Sequence, residues 1–535
     1  MKTARIRLIT TLAGVVALMV LSTVVRTQAE QPGTLTIAET SDADSLDPKL
    51  ATAAPSVLVY ANIFDTLVEQ GRDLQIKPAL ATSWEQIDPV TWRFHLRTGV
   101  KFQDGTDFNA QAVKFTFDRA LSKTSPARGL SMAGPIARAT VVDNDTVDIT
   151  TTKPFGPVLA ALSEVFVFGI VSPTAVEKYD ADFGHHPVGT GPFAFDSWQK
   201  NDQIVLKRNP NYWGEKAKID NLVFKIIPDA NSQAIAFGAG EIDGIMAPDA
   251  NLIARLKADP TANVYEVPGL RMLYLGFNTK RPVFSDVRVR RAINRAINTQ
   301  AIATALLKGH AIPAQGYLPK QVFGYADVGT YKYDPAAAKA LLAEAGWKPG
   351  PDGKLQKDGQ PFTINLWGYT GRDPNSRLIS EAVQGELQRL GAQVNLRVWD
   401  YSELSTALWQ EVPKGGPAAA PYDMFMLGWT TITGDADFTL YGQISDISIP
   451  PKGLNATYWA PPDYMADLVK GRTSTDQAVR ATAYKDALTK LHDQAIWVPM
   501  VVLNQVLVLK KRVTGYKPHP VEYYMLRMRD VGLTN

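Results

Sequence analysis

Apolar and polar positions along this chain switch repeatedly between the two-residue period of a strand and the longer period of an amphipathic helix. Leu35–Ala38, Trp92–Leu96 and Val394–Trp399 predict strands. Val501–Leu509 is an unbroken apolar run of the kind found in strands that are buried on both faces. Strands that alternate in this way with amphipathic helices predict an α/β fold.

Helix start and stop signals lie at the expected positions between these strands. They predict four helices: one that begins after Asn109, one that runs from Asp286 to Gly309, one from Asp334 to Gly346, and Ser376–Leu390 closed by Gly391. Pro335 follows Asp334 directly, which is the preferred place for proline at the first helical position.

The first 29 residues predict an export signal. Three basic residues precede the apolar stretch Leu8–Val25, and Thr27 and Ala29 supply small residues at a cleavage site that would leave Glu30 first. An uncleaved membrane anchor is the alternative, because the apolar stretch approaches spanning length. No later segment of the sequence is long and apolar enough to span a membrane.

Composition and charge narrow the class of protein. Apolar residues make up 45% of the 535 positions and charged residues 20%, which is ordinary for globular domains. The first 29 residues hold four of the 56 basic residues and no acidic one, so the rest has 52 basic against 53 acidic residues. A near-neutral body gives no reason to expect a nucleic-acid partner.

The chain contains no cysteine. Disulfides, thiolate metal sites and a cysteine nucleophile are therefore excluded. So is the lipid-modified cysteine that tethers exported binding proteins of bacteria with one membrane. An export signal without that anchor predicts a protein free in the periplasm of a bacterium with two membranes.

Signatures of catalysis and of cofactor binding are also missing from the sequence. There is no phosphate-binding P-loop, no dinucleotide-binding glycine pattern and no zinc-binding His-Glu-x-x-His motif. His185 and His186 are adjacent, but sequence neighbours point in different directions and rarely share a metal ion. We therefore expect no enzyme activity, no metal site and no cofactor. A periplasmic hydrolase or a holdase chaperone is the alternative from another class.

Several strings in a fixed order resemble the family 5 solute-binding proteins, the dipeptide, oligopeptide and nickel group, and the pattern is closest to the dipeptide-binding type. They extend over residues 35–520 and include Ala81-Thr-Ser-Trp-Glu85, Gly99-Val-Lys-Phe-Gln-Asp-Gly105, Gly189-Thr-Gly-Pro-Phe193, Arg208-Asn-Pro-Asn-Tyr-Trp213, Gly240-Glu-Ile-Asp243 and Gly434-Asp-Ala-Asp-Phe438. Each string is weak by itself, but their shared order is specific.

The resemblance implies an α/β periplasmic binding protein of type II, with two lobes that close over a ligand like a venus flytrap and an extra subdomain inserted into lobe I. Projected onto this sequence, the signal peptide is 1–29 and lobe I takes 30–65, 190–270 and 506–535. The inserted subdomain is 66–189, and lobe II is 271–505. The chain is then expected to cross between the lobes near Pro268-Gly269 and again near Val501–Gln505.

The resemblance also implies ligand contacts for a zwitterionic peptide. Asp435 falls at the position that pairs with the peptide ammonium, although Ala436 stands where many relatives have proline. Arg372 falls where dipeptide-type relatives place an arginine that binds the carboxylate, and its planar fork suits two-point recognition. The alternatives are that Asp435 and Asp437 cap the following helix and that Arg372 pairs with Asp373.

Three further residues are expected to line the cleft. Trp429 lies just before the Asp435 loop and could cover a ligand side chain, although a tryptophan after a strand is as often part of the core. Thr40 follows the first strand, and Asp437 is a second candidate anion.

The predicted function is the periplasmic substrate-binding subunit of an ABC importer, a monomer that delivers di- or oligopeptides to permease subunits in the inner membrane. The alternative is the same role with glutathione, an opine, a sugar or a metal chelate. Nickel-type relatives use a cleft histidine after the tryptophan, whereas this chain has no histidine between His310 and His492, which argues against that cargo.

Overall fold

The computed structural model describes residues 33–125, 127–130, 133–373, 375–411 and 413–534. The predicted signal peptide lies outside these residues. Within them, no helix combines the length and the apolar character that crossing a membrane requires.

Strands occur along the whole described chain and vary from two to 16 residues. In chain order they are β1 Thr34–Glu39, β2 Val68–Gln70, β3 Ile76–Pro78, β4 Ala81–Asp88, β5 Thr91–Leu96, β6 Ile136–Asp143, β7 Thr146–Thr151, β8 Phe193–Gln199, β9 Gln203–Arg208, β10 Asn221–Ile226, β11 Gly244–Met246, β12 Ala262–Phe277, β13 Ala311–Pro313, β14 Lys348–Pro349, β15 Leu355–Lys357, β16 Gln360–Pro361, β17 Thr363–Thr370, β18 Gln393–Asp400, β19 Met424–Thr430, β20 Trp497–Lys510, β21 Val513–Thr514 and β22 Gly532–Leu533.

Helices alternate with the strands and include several single turns. They are α1 Ala54–Tyr60, α2 Ala110–Ala120, α3 Val158–Leu162, α4 Val165–Phe168, α5 Pro173–Tyr179, α6 Ala230–Ala239, α7 Ala250–Lys257, α8 Pro282–Ser285, α9 Val287–Ala296, α10 Thr299–Ala301, α11 Pro335–Glu344, α12 Ser376–Leu390, α13 Tyr401–Trp409, α14 Ala436–Ile444, α15 Pro462–Thr473 and α16 Gln477–Asp493.

One large mixed sheet organises the described part of the chain. Its strand order is β18-β17-β19-β12-β20-β11-β1-β10-β9-β8, with β13 paired to β20 beside this path. β1 is parallel to both of its neighbours, β10 and β11, and β17 is parallel to β18 and β19. Strands that the sequence assigns to lobe I and to lobe II thus lie on opposite sides of β12 and β20.

The long strands β12 and β20 pair with each other along almost their whole length. The register places Pro268 opposite Asn504 and Val267 opposite Gln505, and it shifts between Pro268 and Met272. The two predicted crossing points are therefore neighbours in the sheet. A side chain at Gly269 would come within 2.7 Å of the Leu503 carbonyl oxygen, so the close approach of the two strands there favours glycine.

A separate antiparallel sheet, β4-β5-β7-β6, falls within the predicted insertion 66–189. β5 shows the alternation expected for a strand with one buried face, with Phe94 and Leu96 inside and His95 outside. Helix α2 packs against β6 and β7 of this sheet, and its Val113 and Phe117 side chains are buried. The lobe and insertion boundaries themselves stay a prediction.

Most buried apolar side chains form one continuous core. A second, smaller cluster packs α6 and α7 against the middle of the large sheet; it includes Ala38, Phe237, Ile245, Leu252 and Val508. Burial on both faces explains why β20 reads as a continuous apolar run in the sequence.

The predicted strands and three of the four predicted helices are confirmed, with ends that move by a few residues. Asn109 caps α2 by accepting hydrogen bonds from the backbone N–H groups of Gln111 and Ala112. Asp334 caps α11 in the same way, and Gly391 ends α12 in the left-handed conformation with φ 107°.

The helix predicted from Asp286 to Gly309 is wrong in its length. α9 ends at Ala296, α10 begins at Thr299, and a π-helical turn covers Ile302–Leu306. The break coincides with a tertiary contact: the Asn298 backbone N–H donates to Glu386 of α12 at 2.8 Å, while the Asn298 side chain caps the next turn. Local periodicity does not reveal such a contact.

Candidate ligand-binding site

The carboxyl end of β1 places Glu39 and Thr40 side by side. Ligands of α/β sheets bind beyond the carboxyl ends of the parallel strands, and β1 is the strand that is parallel to both neighbours in its half of the sheet. Thr40 is exposed. Glu39 is only 7% exposed, and its Oε1 atom is buried without a hydrogen-bond partner in the described structure.

Arg372 lies in the turn after β17, directly behind Gly371, whose φ of 87° is in the left-handed region. Its Nη2 atom is 3.4 Å from an Oε2 atom of Glu522, and its side chain is 25% exposed. The Glu522 carboxylate, which acts more strongly than burial, raises the pKa of Arg372. The guanidinium therefore stays charged, and within the described residues one of its three nitrogens makes one long contact.

The alternative pairing of Arg372 with Asp373 is not what the structure shows. Asp373 accepts from Arg271 at 2.5 and 2.7 Å and also from the Tyr369 hydroxyl. This buried group joins β12 to the end of β17 and fixes the turn from which Arg372 extends.

Glu522 begins a short 3₁₀ turn, Glu522–Tyr524, near the carboxyl end of the chain. The turn lies against α1 and β12. Burial raises the pKa of Tyr523, which also lies in the electrostatic field of Arg372, Glu522 and Arg271. A segment about 150 residues further along the chain thus supplies an acid to the arginine that the sequence singled out.

Trp429 stands on β19 opposite Met272 of β12. Its ring stacks on Phe438 of α14 at 5.5 Å, and its indole Nε1 is buried without a partner in the described structure. Gly428 beside it leaves room for the Arg271 guanidinium, because a Cβ atom there would lie 2.7 Å from Nη2. Because side chains alternate along a strand, Trp429 points to the face opposite Arg271 and packs there against α14.

Asp435 is buried and already has a cationic partner. It caps α14 by accepting from the Asp437 backbone N–H, and both of its oxygens accept from Nη2 of Arg480 at 2.8 and 2.7 Å. The capping role considered from the sequence is observed. The contact with a ligand ammonium stays a prediction.

Asp437 belongs to the same cluster. It pairs with Arg472 of α15 and lies 3.5 Å from the Tyr484 hydroxyl of α16. Burial raises the pKa of Asp437 to about 6; Asp435 adds to the shift and Arg472 opposes it. The two acids thus hold α14 to the α15–α16 hairpin.

The charged residues fall into two groups. Glu39, Glu522 and Arg372 form one, because Glu522 acts electrostatically on Glu39 and pairs with Arg372. Asp435 and Asp437 form the other, and no hydrogen bond or ion pair in the described structure joins the two groups. We call the first group the cleft charges, because the ligand cleft is expected beyond the carboxyl end of β1.

Glu39 and Glu522 were missed from the sequence. Glu39 lies between the predicted strand Leu35–Ala38 and the candidate residue Thr40, so its position was a usable signal. Glu522 gave no signal, since nothing in the chain connects it to Arg372. Among the described residues, no three His, Asp or Glu side chains are grouped as ligands for a metal ion.

Comparison with known proteins places the chain in a class. Residues 75–447 match the profile of the bacterial extracellular solute-binding proteins, family 5. The glutathione-binding protein GsiB of Salmonella typhimurium is 30% identical, over 90% of this chain and 91% of its own. The dipeptide-binding protein of Escherichia coli K12 is also 30% identical, over 92% and 93% of the two chains.

A solved structure agrees with these sequence relatives. The periplasmic binding protein DppA from Helicobacter pylori, in complex with the peptide STSA, superposes with a TM-score of 0.78 at 29% identity. It covers 94% of this chain and 98% of its own.

Fold and relatives together define a two-lobed α/β binding protein of the periplasmic type. Such proteins capture a solute and pass it to an ABC importer. The chain belongs to the bacterial extracellular solute-binding proteins, family 5. Its relatives are substrate-binding proteins of transport systems, which bind peptides and related solutes and act with ABC permeases.

Proposed function

We propose that this protein captures small peptides in the periplasm and delivers them, chemically unchanged, to the permease of an ABC importer. The relatives named for dipeptide and glutathione binding support a peptide-like cargo. Release of the mature protein into the periplasm after cleavage near Ala29, and action as a monomer, belong to the same proposal.

The observation that carries the proposal is the state of Arg372. This arginine is charged and three-quarters buried, and within the described residues its one hydrogen bond or ion pair is the 3.4 Å contact with Glu522. A guanidinium presents five donors in a planar fork, which matches a carboxylate in two-point geometry. A peptide carboxylate could therefore replace Glu522 with shorter, paired bonds, and the loss of water in a closed cleft would strengthen them.

The remaining predicted residues have supporting roles in this proposal. Trp429 offers a rigid aromatic surface whose Nε1 lacks a partner in the described structure. Thr40 offers an exposed hydroxyl at the β1 end. The carboxylates of Asp435 and Asp437 already bind arginines, so each would have to bind the ligand and its arginine at the same time.

A thermal-shift screen tests the proposal. A ligand that binds only the folded state raises the unfolding temperature by mass action. We expect shifts with alanyl-phenylalanine, alanyl-phenylalanyl-alanine or glutathione, but not with sugars or nickel. Replacing Arg372 by Lys should weaken binding of the free acid by about tenfold or more, yet change the affinity for the same peptide amidated at its C-terminus much less.

The screen also separates peptides from glutathione. If glutathione alone gives a shift, the cargo is narrowed to that tripeptide, which the relative at 30% identity binds by name. If sugars or chelates shift the unfolding temperature and none of the peptides does, the proposed peptide cargo is refuted. Mass spectrometry of the bound peptide after incubation should show it intact; cleavage would refute the proposal that the protein is not an enzyme.

A further inference from the structure

We infer that Glu39, supported by Glu522, is the anionic subsite that receives the ligand's ammonium group. The inference rests on the proposed function, because it names a second anchor in the same cleft. With this subsite, the protein is expected to prefer ligands that carry a free primary ammonium group.

The burial of Glu39 points to a missing cation. A carboxylate that is 7% exposed and has a buried oxygen without a partner has lost its water without gaining a hydrogen bond in return. Burial, with Glu522 adding to it, raises the pKa of Glu39 to about 8. Lys225 on the adjacent strand pairs with Asp202 at 2.5 Å and is not the partner of Glu39. The charged group that acts on Glu39 is Glu522.

Glu164 shows what a buried glutamate looks like when the protein itself provides for it. It is 2% exposed and burial raises its pKa to about 8, but its Oε2 atom accepts from the Tyr524 hydroxyl at 2.9 Å. Glu164 also lies in the field of Arg527. Oε1 of Glu164 is also buried without a partner in the described structure, so the two glutamates differ in the hydrogen bond to Oε2 of Glu164 and in the nearby Arg527. Glu39 has neither in the described structure, and it stands at the strand end where α/β proteins bind ligands.

The arrangement of the cleft charges fits a zwitterion. Glu39 lies on β1. Arg372 lies on the turn after β17, in the other half of the large sheet beyond β12 and β20. Glu522 acts electrostatically on Glu39 and contacts Arg372 with one long bond of 3.4 Å. A ligand carboxylate that takes Arg372 would release Glu522 to join Glu39, so the two acids would face the ammonium together.

Asp435 competes poorly for this role in the described conformation. Its two oxygens are satisfied by Arg480, and a second cation would have to share them. Glu39 has no cation to release.

One consequence is a proton release on binding. Because Glu39 holds a proton at pH 7 in the empty protein, pairing with an ammonium requires that this proton leave. Calorimetry in buffers of different ionisation enthalpy should show close to one proton released at pH 7 and less at pH 9.

The deciding experiment combines Glu39→Gln with N-acetylation of the ligand. The probes are alanyl-phenylalanine, alanyl-phenylalanyl-alanine and glutathione, each free and N-acetylated. For the wild type, we expect acetylation to weaken binding. For Glu39→Gln, we expect the free ligand to bind about 30-fold or more weakly, and the acetylated ligand to change little.

The unfolding temperature provides a second readout, and Glu39→Gln should raise it although the same change lowers the affinity for ligand. The pKa of Glu39 is higher in the folded than in the unfolded state, so its contribution to stability is present below about pH 4.5 and is lost as pH rises through 8. Glutamine carries no such charge. Glu39→Gln should therefore raise the unfolding temperature of the empty protein at pH 8 while it lowers affinity. The matched control, Glu164→Gln, removes a similarly buried acid and should leave the affinity for free peptide within about twofold.

The outcomes separate the inference from the proposed function. If the wild type binds free peptide and Glu39→Gln binds it equally well, the ammonium subsite is refuted and the peptide function stands. Equal losses for free and acetylated ligand would also refute it, since general damage acts on both. If the wild type binds none of the three probes, the inference and the proposed function are both overturned.

Discussion

Buried ionisable side chains in this protein are stabilised in two different ways. Asp435 pairs with Arg480 and Asp437 pairs with Arg472, so these ion pairs offset part of the cost of burying the two acids. Glu39 has no such partner among the described residues, and burial raises its pKa to about 8. A paired acid contributes to the fold, whereas an unpaired one is free to respond to a ligand.

Replacing Asp435 by Asn should lower the free energy of unfolding by about 3–5 kcal/mol, because Arg480 would be left as a buried cation without its anion. Asn keeps the capping oxygen, so the helix cap is retained. Urea denaturation measures the effect. Asp476→Asn is the matched control: Asp476 caps α16 at an exposed position, and the change should cost less than about 0.5 kcal/mol.

The same Asp435 variant tests the ligand contact predicted from the sequence. Affinities of wild type and Asp435→Asn for a peptide and its N-acetylated form give a double-mutant cycle. A coupling free energy near zero would contradict a direct contact between Asp435 and the ammonium, and would leave the ion pair with Arg480 as its role.

At the scale of elements, the loop after β7 meets the end of α15. The Gly156 backbone N–H donates to the Arg472 carbonyl at 2.8 Å, and a Cβ atom at Gly156 would lie only 2.0 Å from the Ser474 carbonyl oxygen. Phe155 next to it lies 4.8 Å from the Arg472 guanidinium. This contact joins the predicted insertion to predicted lobe II, so we expect it to form when the lobes close.

Gly156→Ala should force these two segments apart and make closure less favourable. Affinity for peptide should fall about tenfold, equivalent to about 1.4 kcal/mol, because closure then costs part of the binding free energy. Calorimetry measures this. Gly238→Ala in α6 is the control: its Cβ meets no atom within 4 Å, so affinity should not change. Equal affinities of both variants and the wild type would contradict a role of the loop contact in closure.

At the scale of the whole molecule, the large sheet keeps distant parts of the chain in one functional unit. β12 and β20 connect strands of the two predicted lobes. The carboxyl-terminal turn brings Glu522 into contact with Arg372 of predicted lobe II. These two adjacent strands hold the predicted crossings between the lobes, so we expect them to act as the hinge about which the lobes rotate. Binding in the cleft then selects the closed form, since only there does a ligand contact both sides.

The cellular location follows from the chain as a whole. We expect the mature protein to begin near Glu30 and to appear in the osmotic-shock fraction, because a predicted signal precedes a chain without a lipid-acceptor cysteine. Intact-mass analysis of that fraction measures the first residue. Met1 retained on protein in the membrane pellet would show that the segment is an uncleaved anchor.

The sequence by itself determined the class of fold, the family and most local structure of this protein. Periodicity and capping residues such as Asn109, Asp334 and Gly391 act over a few positions, so they can be read without a structure. The resemblance to the family also singled out Arg372 as a contact for the ligand carboxylate, and that role stays a prediction.

Tertiary structure decided which charges are paired. Arg271 binds Asp373 across 102 positions, Arg480 binds Asp435 across 45, and Glu522 reaches Arg372 across 150. Ion pairs form between side chains that the sheet brings within a few ångströms, and sequence spacing contains no record of that distance. The break of the helix at Asn298 has the same origin, since Glu386 reaches it from another element. Burial likewise made Glu39 an acid without a cation, which is a property of its surroundings and not of its sequence neighbours.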